Sequence, residues 1–165
     1  MKLSFGTVIN DQPNYFIEKI WKGLMALSSH LDNEHYRYQE RHIQKFDRNW
    51  DGDAYTEFLE PKIHTIRKDP DELWHAGAEI TMVIYKDTSD EFQFAPMLHC
   101  TGVQKIEIRK AAGENYTVTV AENQLDDEQL NTLAINDGFS SAEELLSYFS
   151  GDFSGKLIHW TSVRY

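Results

Sequence analysis

Apolar residues in the first part of the chain recur at the spacing of an amphipathic helix. They are Phe16, Ile17, Ile20, Trp21 and Leu24. Because an α-helix completes a turn every 3.6 residues, positions three and four apart lie on one face. The pattern therefore predicts a helix that starts near Asn14 and packs this face against a core. Before it, residues 3–9 are predicted to form a short strand that stops at the polar turn residues Asn10 and Asp11.

The middle and the end of the chain carry the alternating pattern of strands. After Pro61, apolar and polar residues alternate over residues 62–67 and again over residues 79–85, which predicts two strands. Between them, a short helical turn over residues 71–75 is predicted to end near Gly77. Residues 102–109 and 116–120 predict a hairpin that turns at residues 112–114. A last strand is predicted over residues 157–163.

Two further helices are predicted by their capping residues. Asp126 and Gln129 have the spacing of a capping box, and Gly138 suits the left-handed end of that helix. Ser140 or Ser141 is predicted to cap a helix that continues through Phe149. Strands predominate and helices lie near both ends, so the sequence predicts an α+β fold, a small mixed β-barrel or half-barrel flanked by helices.

Residues 25–59 differ from both flanks because most of this segment is polar. A second helix with a weaker apolar stripe is predicted within it, ending at residues 47–52. Residues 47–53 have the oxygen-ligand spacing of a calcium loop, but position twelve is Phe58 where a bidentate Glu is needed. We therefore interpret the loop as an Asx-rich turn.

Composition narrows the possible partners. The 165 residues include 27 acids and 16 Lys or Arg, a net charge of −11, so the surface as a whole does not attract phosphate backbones. Residues 111–155 contain nine acids and no Lys or Arg. The other residues are close to balance, which leaves room for a local basic site.

Several classes of site find little support in the sequence. Cys100 is the single cysteine, which excludes an intrachain disulfide framework and a cysteine zinc cluster. The seven histidines show no metal-ligand spacing, so we expect no metal and no cofactor. No signal-peptide apolar region or membrane span is visible, so we expect a cytoplasmic protein without a membrane partner.

The segment Lys62-Ile-His64-Thr65-Ile-Arg67 concentrates groups that can carry chemistry. It places two cations, an imidazole and a hydroxyl on one short strand, where a site would be held rigidly. The alternative is ordinary surface chemistry, with Arg67 in a salt bridge and Lys62 solvated. Thr65 and Arg67 share one face of a regular strand, while Lys62 and His64 share the other.

This segment resembles the opening of the ASCH domain, a relative of the PUA fold. Trp74-His-Ala-Gly77 before the next strand, the Asp137-Gly-Phe segment, and the closing Gly155-Lys-Leu-Ile-His-Trp160 are similar to further signatures of the family. The resemblance is greatest to uncharacterised bacterial and phage-type members. It implies a single PUA-like domain over residues 1–165, with residues 25–59 inserted between the first helix and the Lys-x-x-Thr strand.

The resemblance also implies a function and its residues. Some members are thought to bind RNA or a modified base in a cleft between barrel and helices, and here Arg67, His64 and Trp160 would be the contacts. A small relative deacetylates acetylcytidine with a Lys, a Thr and a Glu, which correspond by position to Lys62, Thr65 and Asp137.

Three functional hypotheses follow. The first is recognition of RNA or of a modified nucleoside. The second is amide hydrolysis of an N-acylated nucleoside such as acetylcytidine; for this, Lys62 must lie outside the strand ladder or at a bulge to meet Thr65. The third is a phage-type accessory protein that contacts another protein through residues 25–59. Alternatives remain for two residues: Trp160 can pack in the core, and Asp137 can simply terminate a helix. The oligomeric state is left open.

Overall fold

The computed structural model describes residues 1–28, 31–110 and 116–165. The predicted α+β class is confirmed, since 33% of the chain is helix and 28% is strand. The sheets formed by the described residues are not closed, so a PUA-like barrel is not confirmed. In the described part of the chain, no helix combines the length and the apolar character that crossing a membrane requires.

The described chain divides into two compact units. Unit 1 contains Met1–Lys62 and Glu79–Leu98, and unit 2 contains Ile63–Ala78 and His99–Tyr165. That residues 1–165 form a single domain stays a prediction.

Unit 1 combines short strands with the first two helices. Its elements are β1 (Lys2–Ser4), β2 (Val8–Ile9), β3 (Gln12–Pro13), α1 (Phe16–Leu27), α2 (Asp32–Phe46), a 3₁₀ helix (Asp53–Phe58), β5 (Glu79–Ile84) and β6 (Phe92–Gln93). β5 is the central strand, pairing in parallel with β1 and antiparallel with β6.

The apolar stripe of α1 is buried, as its spacing predicts. Ile20, Trp21 and Leu24 are at most 2% exposed. The indole Nε1 of Trp21 donates a hydrogen bond to the carbonyl of Phe94 over 2.8 Å, and its ring stacks on Trp50. A buried polar atom needs such a partner, so this contact fixes the rotation of the helix. The core assignment of this face is confirmed.

Residues 25–59 contain the helix that the weaker stripe predicts. α2 ends at Asp47, whose φ of 55° lies in the left-handed region and closes the helix. In the following loop Arg48 donates to Asp51 over 2.8 Å, and Gln39 donates to Asp53 over 2.7 Å. These carboxylates are used by side-chain partners, which accords with a turn. That the segment is an insertion, and that it contacts another protein, stay predictions.

Unit 2 is built on an antiparallel sheet in which one face is buried. Its elements are β4 (His64–Arg67), β8 (Gly102–Lys110), β9 (Tyr116–Val120), β10 (Asn123–Gln124), α3 (Asp127–Asn136), α4 (Ala142–Phe149) and β11 (Phe153–His159), while β7 (Leu98–His99) lies at the boundary between the units. The strand order is β10-β9-β8-β11-β4. The buried face carries Ile66, Ile106, Ile108, Val118, Val120 and Leu157.

Most local signals in unit 2 are confirmed. The hairpin of β8 and β9 is present, although its predicted turn at residues 112–114 lies outside the described residues. Asp126 and Gln129 form the predicted capping box, and Gly138 has a φ of 92°. Ser141 caps α4 by accepting a hydrogen bond from the backbone of Glu144.

Three predicted elements are wrong in type or extent. Residues 3–9 form two separate strands, β1 and β2, and not one. Residues 71–75 do not form a helical turn, because the Asp69 carboxylate accepts the backbone N–H groups of Leu73 and Trp74 in an Asx-type arrangement. The last strand runs from Phe153 to His159, where the prediction began at Leu157 and ended at Val163.

The early start of β11 depends on Gly155. A Cβ at this position would collide with the carbonyl oxygen of Arg67 on the neighbouring strand. Glycine in a strand interior often marks such a close approach of two backbones. Gly155, which precedes the predicted strand, is therefore part of the ladder, and Lys156 lies within the sheet.

Candidate functional site

The edge strand β4 carries three of the predicted site residues, His64, Thr65 and Arg67. His64 lies opposite His159 of β11, Thr65 opposite Ile158, and Arg67 opposite Lys156. Since side chains alternate along a strand, His64 points to one face of the sheet and Thr65 and Arg67 to the other. The strand thus divides the predicted groups between two environments.

On the His64 face lies a buried group that we call the polar cluster: His64, Asn136, Asp137, His159 and Tyr165. His64 Nε2 lies 2.8 Å from the Tyr165 hydroxyl, which also accepts a hydrogen bond from Asn136 Nδ2 over 2.7 Å. His64 Nδ1 lies 3.6 Å from Asp137 Oδ1. Strand β4, the end of α3 and the last residue of the chain are joined by these contacts.

Burial sets the protonation of this cluster. It lowers the pKa of His159 to about 3, assisted by the charges of His64 and Arg164, while Asp137 acts in the opposite direction. Burial also raises the pKa of Tyr165 to about 12. Both groups are therefore neutral at pH 7. Neither ring nitrogen of His159 has a hydrogen-bond partner among the residues that the structure describes.

Asp137 combines a structural and an electrostatic role. It is the C-cap residue of α3, and its Oδ1 accepts a hydrogen bond from the backbone N–H of Ile66 over 3.3 Å. Burial lowers the pKa of the Arg67 guanidinium, and the charges of Asp137 and Tyr148 raise it. The carboxylate is 4% exposed, so it acts on Arg67 across a poorly solvated space.

The opposite face of the sheet carries a set of three cations, of which sequence analysis singled out Arg67 alone. Lys156 of β11 lies directly opposite Arg67 of β4 on one side and Lys105 of β8 on the other. Directly opposed residues of antiparallel strands point to the same face. We call Arg67, Lys156 and Lys105 the cation row. It crosses three neighbouring strands, which are about 4.8 Å apart.

A cavity of about 330 Å³ opens beside this row. Its lining includes Lys105, Lys156 and a further cation, Lys68, together with Asp69 and Glu72. Lys156 Nζ lies 3.7 Å from Glu72, whose side chain is 82% exposed. Lys105 Nζ lies 2.6 Å from Glu107, and this lysine is 64% exposed. Ion pairs with such exposed members contribute about 0–1 kcal/mol and exchange readily with other anions.

The remaining predicted residues have different surroundings. Lys62 is described with unit 1, where its Nζ lies 4.7 Å from the centre of the Phe16 ring and 5.9 Å from that of Phe5. It precedes the ladder, which begins at His64. Thr65 and Asp137 belong to unit 2 and are buried. A catalytic set of Lys62, Thr65 and Asp137 stays a prediction from the resemblance.

Trp160 follows β11 and is 5% exposed. Its indole Nε1 has no hydrogen-bond partner within the described part of unit 2. The position is that of a core residue, which was one of the two interpretations of this tryptophan.

No group of three or more His, Cys, Asp or Glu side chains is arranged to hold a metal ion in residues 1–28, 31–110 and 116–165. Comparisons with protein-family models, with curated proteins and with solved structures each returned no match. The function must therefore be inferred from the geometry of the site.

Proposed function

We propose that this chain binds RNA through the face of the unit 2 sheet that carries the cation row. The observation that supports the proposal most is the position of Arg67, Lys156 and Lys105 opposite one another on three neighbouring strands. The proposal includes the ASCH-type family and PUA-like architecture that the sequence resembles. The resemblance suggests RNA as the class of ligand, and the cation row is the surface to which we propose that RNA binds.

The energetics of the row favour an external anion. Like charges directly opposite one another destabilise a sheet by roughly 0.2–1 kcal/mol per pair. The carboxylates of Glu72 and Glu107 offset part of this repulsion at Lys156 and Lys105. A phosphate that contacts both lysines would take the place of these two exposed carboxylates. The chain as a whole has a net charge of −11, so the attraction is confined to this face and does not extend over the surface.

The length of the row favours a polyanion over a single phosphate. Two strand spacings of about 4.8 Å separate Arg67 from Lys105, which gives a span of about 10 Å. This span exceeds the size of one phosphate group, so the row can contact more than one phosphate of a single RNA strand. The adjacent cavity of about 330 Å³ has room for a base.

Charge reversal at the centre of the row tests the proposal. With a fluorescent 10-nucleotide RNA in low salt, Lys156→Glu is expected to weaken binding at least tenfold. The substitution removes one phosphate contact, and the new carboxylate repels the phosphates bound beside it. Fluorescence anisotropy measures the affinity. Lys86→Glu is the matched control, since Lys86 is an exposed lysine of unit 1 and lies outside the row.

The control variant is expected to stay within twofold of the unmodified chain. Equal losses in the two variants would show that only net charge matters, and the row would not be the site. An unmodified chain that fails to bind the RNA at all in low salt would overturn the proposed function directly.

A further inference from the structure

A second surface of unit 2 has the opposite charge. A groove of about 580 Å³ is formed by the ends of β8 and β9 and by the helices α3 and α4. Tyr116, Leu130 and Leu146 contribute apolar surface, and all three are half-buried. Asp127 and Glu143 line it as well. We call this the acidic groove.

The carboxylates at this groove form no ion pair with residues 1–28, 31–110 or 116–165. Asp127 and Glu143 are both exposed. Their neighbours Asp126 and Glu144, in contrast, hydrogen-bond at the starts of α3 and α4. Asp127 and Glu143 lie in the first turns of α3 and α4, where the helix dipole favours acids, and their exposed carboxylates remain accessible to a partner.

The surroundings of the groove increase its negative potential. Residues 116–155 include eight acids and no Lys or Arg. The cation among the lining residues is Lys110, whose Nζ lies 5.5 Å from the centre of the Tyr116 ring, so it covers an aromatic face at one end. The groove thus combines apolar surface with two carboxylates and one lysine, a net negative charge.

We infer that the acidic groove docks a basic amphipathic peptide segment of a partner protein. Apolar side chains of such a segment would lie between Leu130 and Leu146, as in helix-in-groove recognition, and its Lys or Arg side chains would reach Asp127 and Glu143. The charge complementarity selects this occupant, because RNA and an anionic lipid surface would both be repelled here. The inference does not depend on the RNA-binding proposal, which concerns other residues.

A labelled 14-residue peptide of Leu and Lys at helical spacing is a suitable probe. The double variant Asp127→Asn/Glu143→Gln is expected to weaken its binding at least tenfold, since both groove carboxylates are lost. The matched control is Glu122→Gln/Glu128→Gln, which removes two charges from the same acidic stretch but not from the groove lining. A second peptide with Ser in place of every Leu is expected to bind at least tenfold more weakly than the first.

Fluorescence anisotropy measures the affinity of both peptides for the unmodified chain and for the two double variants. Equal losses in the two double variants, or equal affinity for the Leu and Ser peptides, would show attraction to net charge alone and would overturn the inference. Absence of binding to the unmodified chain would overturn it too. The affinity of the variant Asp127→Asn/Glu143→Gln for RNA is expected to be unchanged, so the experiments test the two proposals separately.

Discussion

Replacing Asp137 by alanine is expected to lower the free energy of unfolding by about 3–5 kcal/mol. The substitution removes the acceptor for the backbone N–H of Ile66 at the sheet edge and the carboxylate nearest His64 Nδ1. It also removes a charge that raises the pKa of the half-buried Arg67. Loss of one member of a buried charged set costs more than loss of an exposed pair, because the other members stay desolvated.

Urea denaturation of the variant and of two controls measures this effect. Asp152→Ala removes another carboxylate of unit 2, which accepts the backbone N–H of Lys110 over 2.8 Å and lies 3.6 Å from Arg109. Both contacts are exposed to solvent, so a change of about 0–1 kcal/mol is expected. Asp137→Asn keeps an acceptor oxygen and loses the charge, and it should fall between the two. If Asp137→Ala were as stable as Asp152→Ala, the carboxylate would not hold the edge strand and the cation row in place.

The second large effect is a loss of stability in mild acid that depends on His159. In the unfolded chain a histidine takes up a proton below a pH of about 6.5. In the folded chain burial holds the pKa of His159 at about 3. Between these values the unfolded state binds one more proton, so stability decreases as the pH decreases. Allowing for partial solvent screening, this contribution is about 2 kcal/mol between pH 7 and pH 4.5.

A comparison with His159→Phe isolates this contribution, since other groups also titrate in the same range. The groups that act on His159 are His64, Arg164 and Asp137, and they remain in the variant. The difference in unfolding free energy between pH 7 and pH 4.5 should therefore shrink by about 2 kcal/mol. The same change at His99, which is exposed, should leave that difference unaltered. Identical pH profiles for the chain and for His159→Phe would refute the assignment.

Local sequence patterns predicted most helices correctly because their determinants are local. The stripe that contains Ile20 and Trp21 needs only the helical period, and the cap at Asp126 needs only a residue three positions later. The helical turn over residues 71–75 failed because the side chain of Asp69 competes for the same backbone groups.

The candidate site was predictable only in part, because it depends on strand register. Arg67 and His64 were singled out by residue type within one segment. Lys105 and Lys156 were missed because nothing local indicates that they oppose each other across 51 positions of chain. The expectation that the last strand started at Leu157 excluded Lys156 from the sheet, and a one-residue shift in register would have placed it on the other face.

The salt dependence of RNA binding tests the central claim most directly. For a single strand, the logarithm of affinity falls against the logarithm of salt concentration with a slope of about −0.7 for each phosphate neutralised, so the three cations of the row predict a slope near −2. Lys156→Ala should make the slope less negative by about 0.7, and Lys86→Ala should leave it unchanged. A slope that is the same for all three proteins would contradict the assignment of RNA to the cation row.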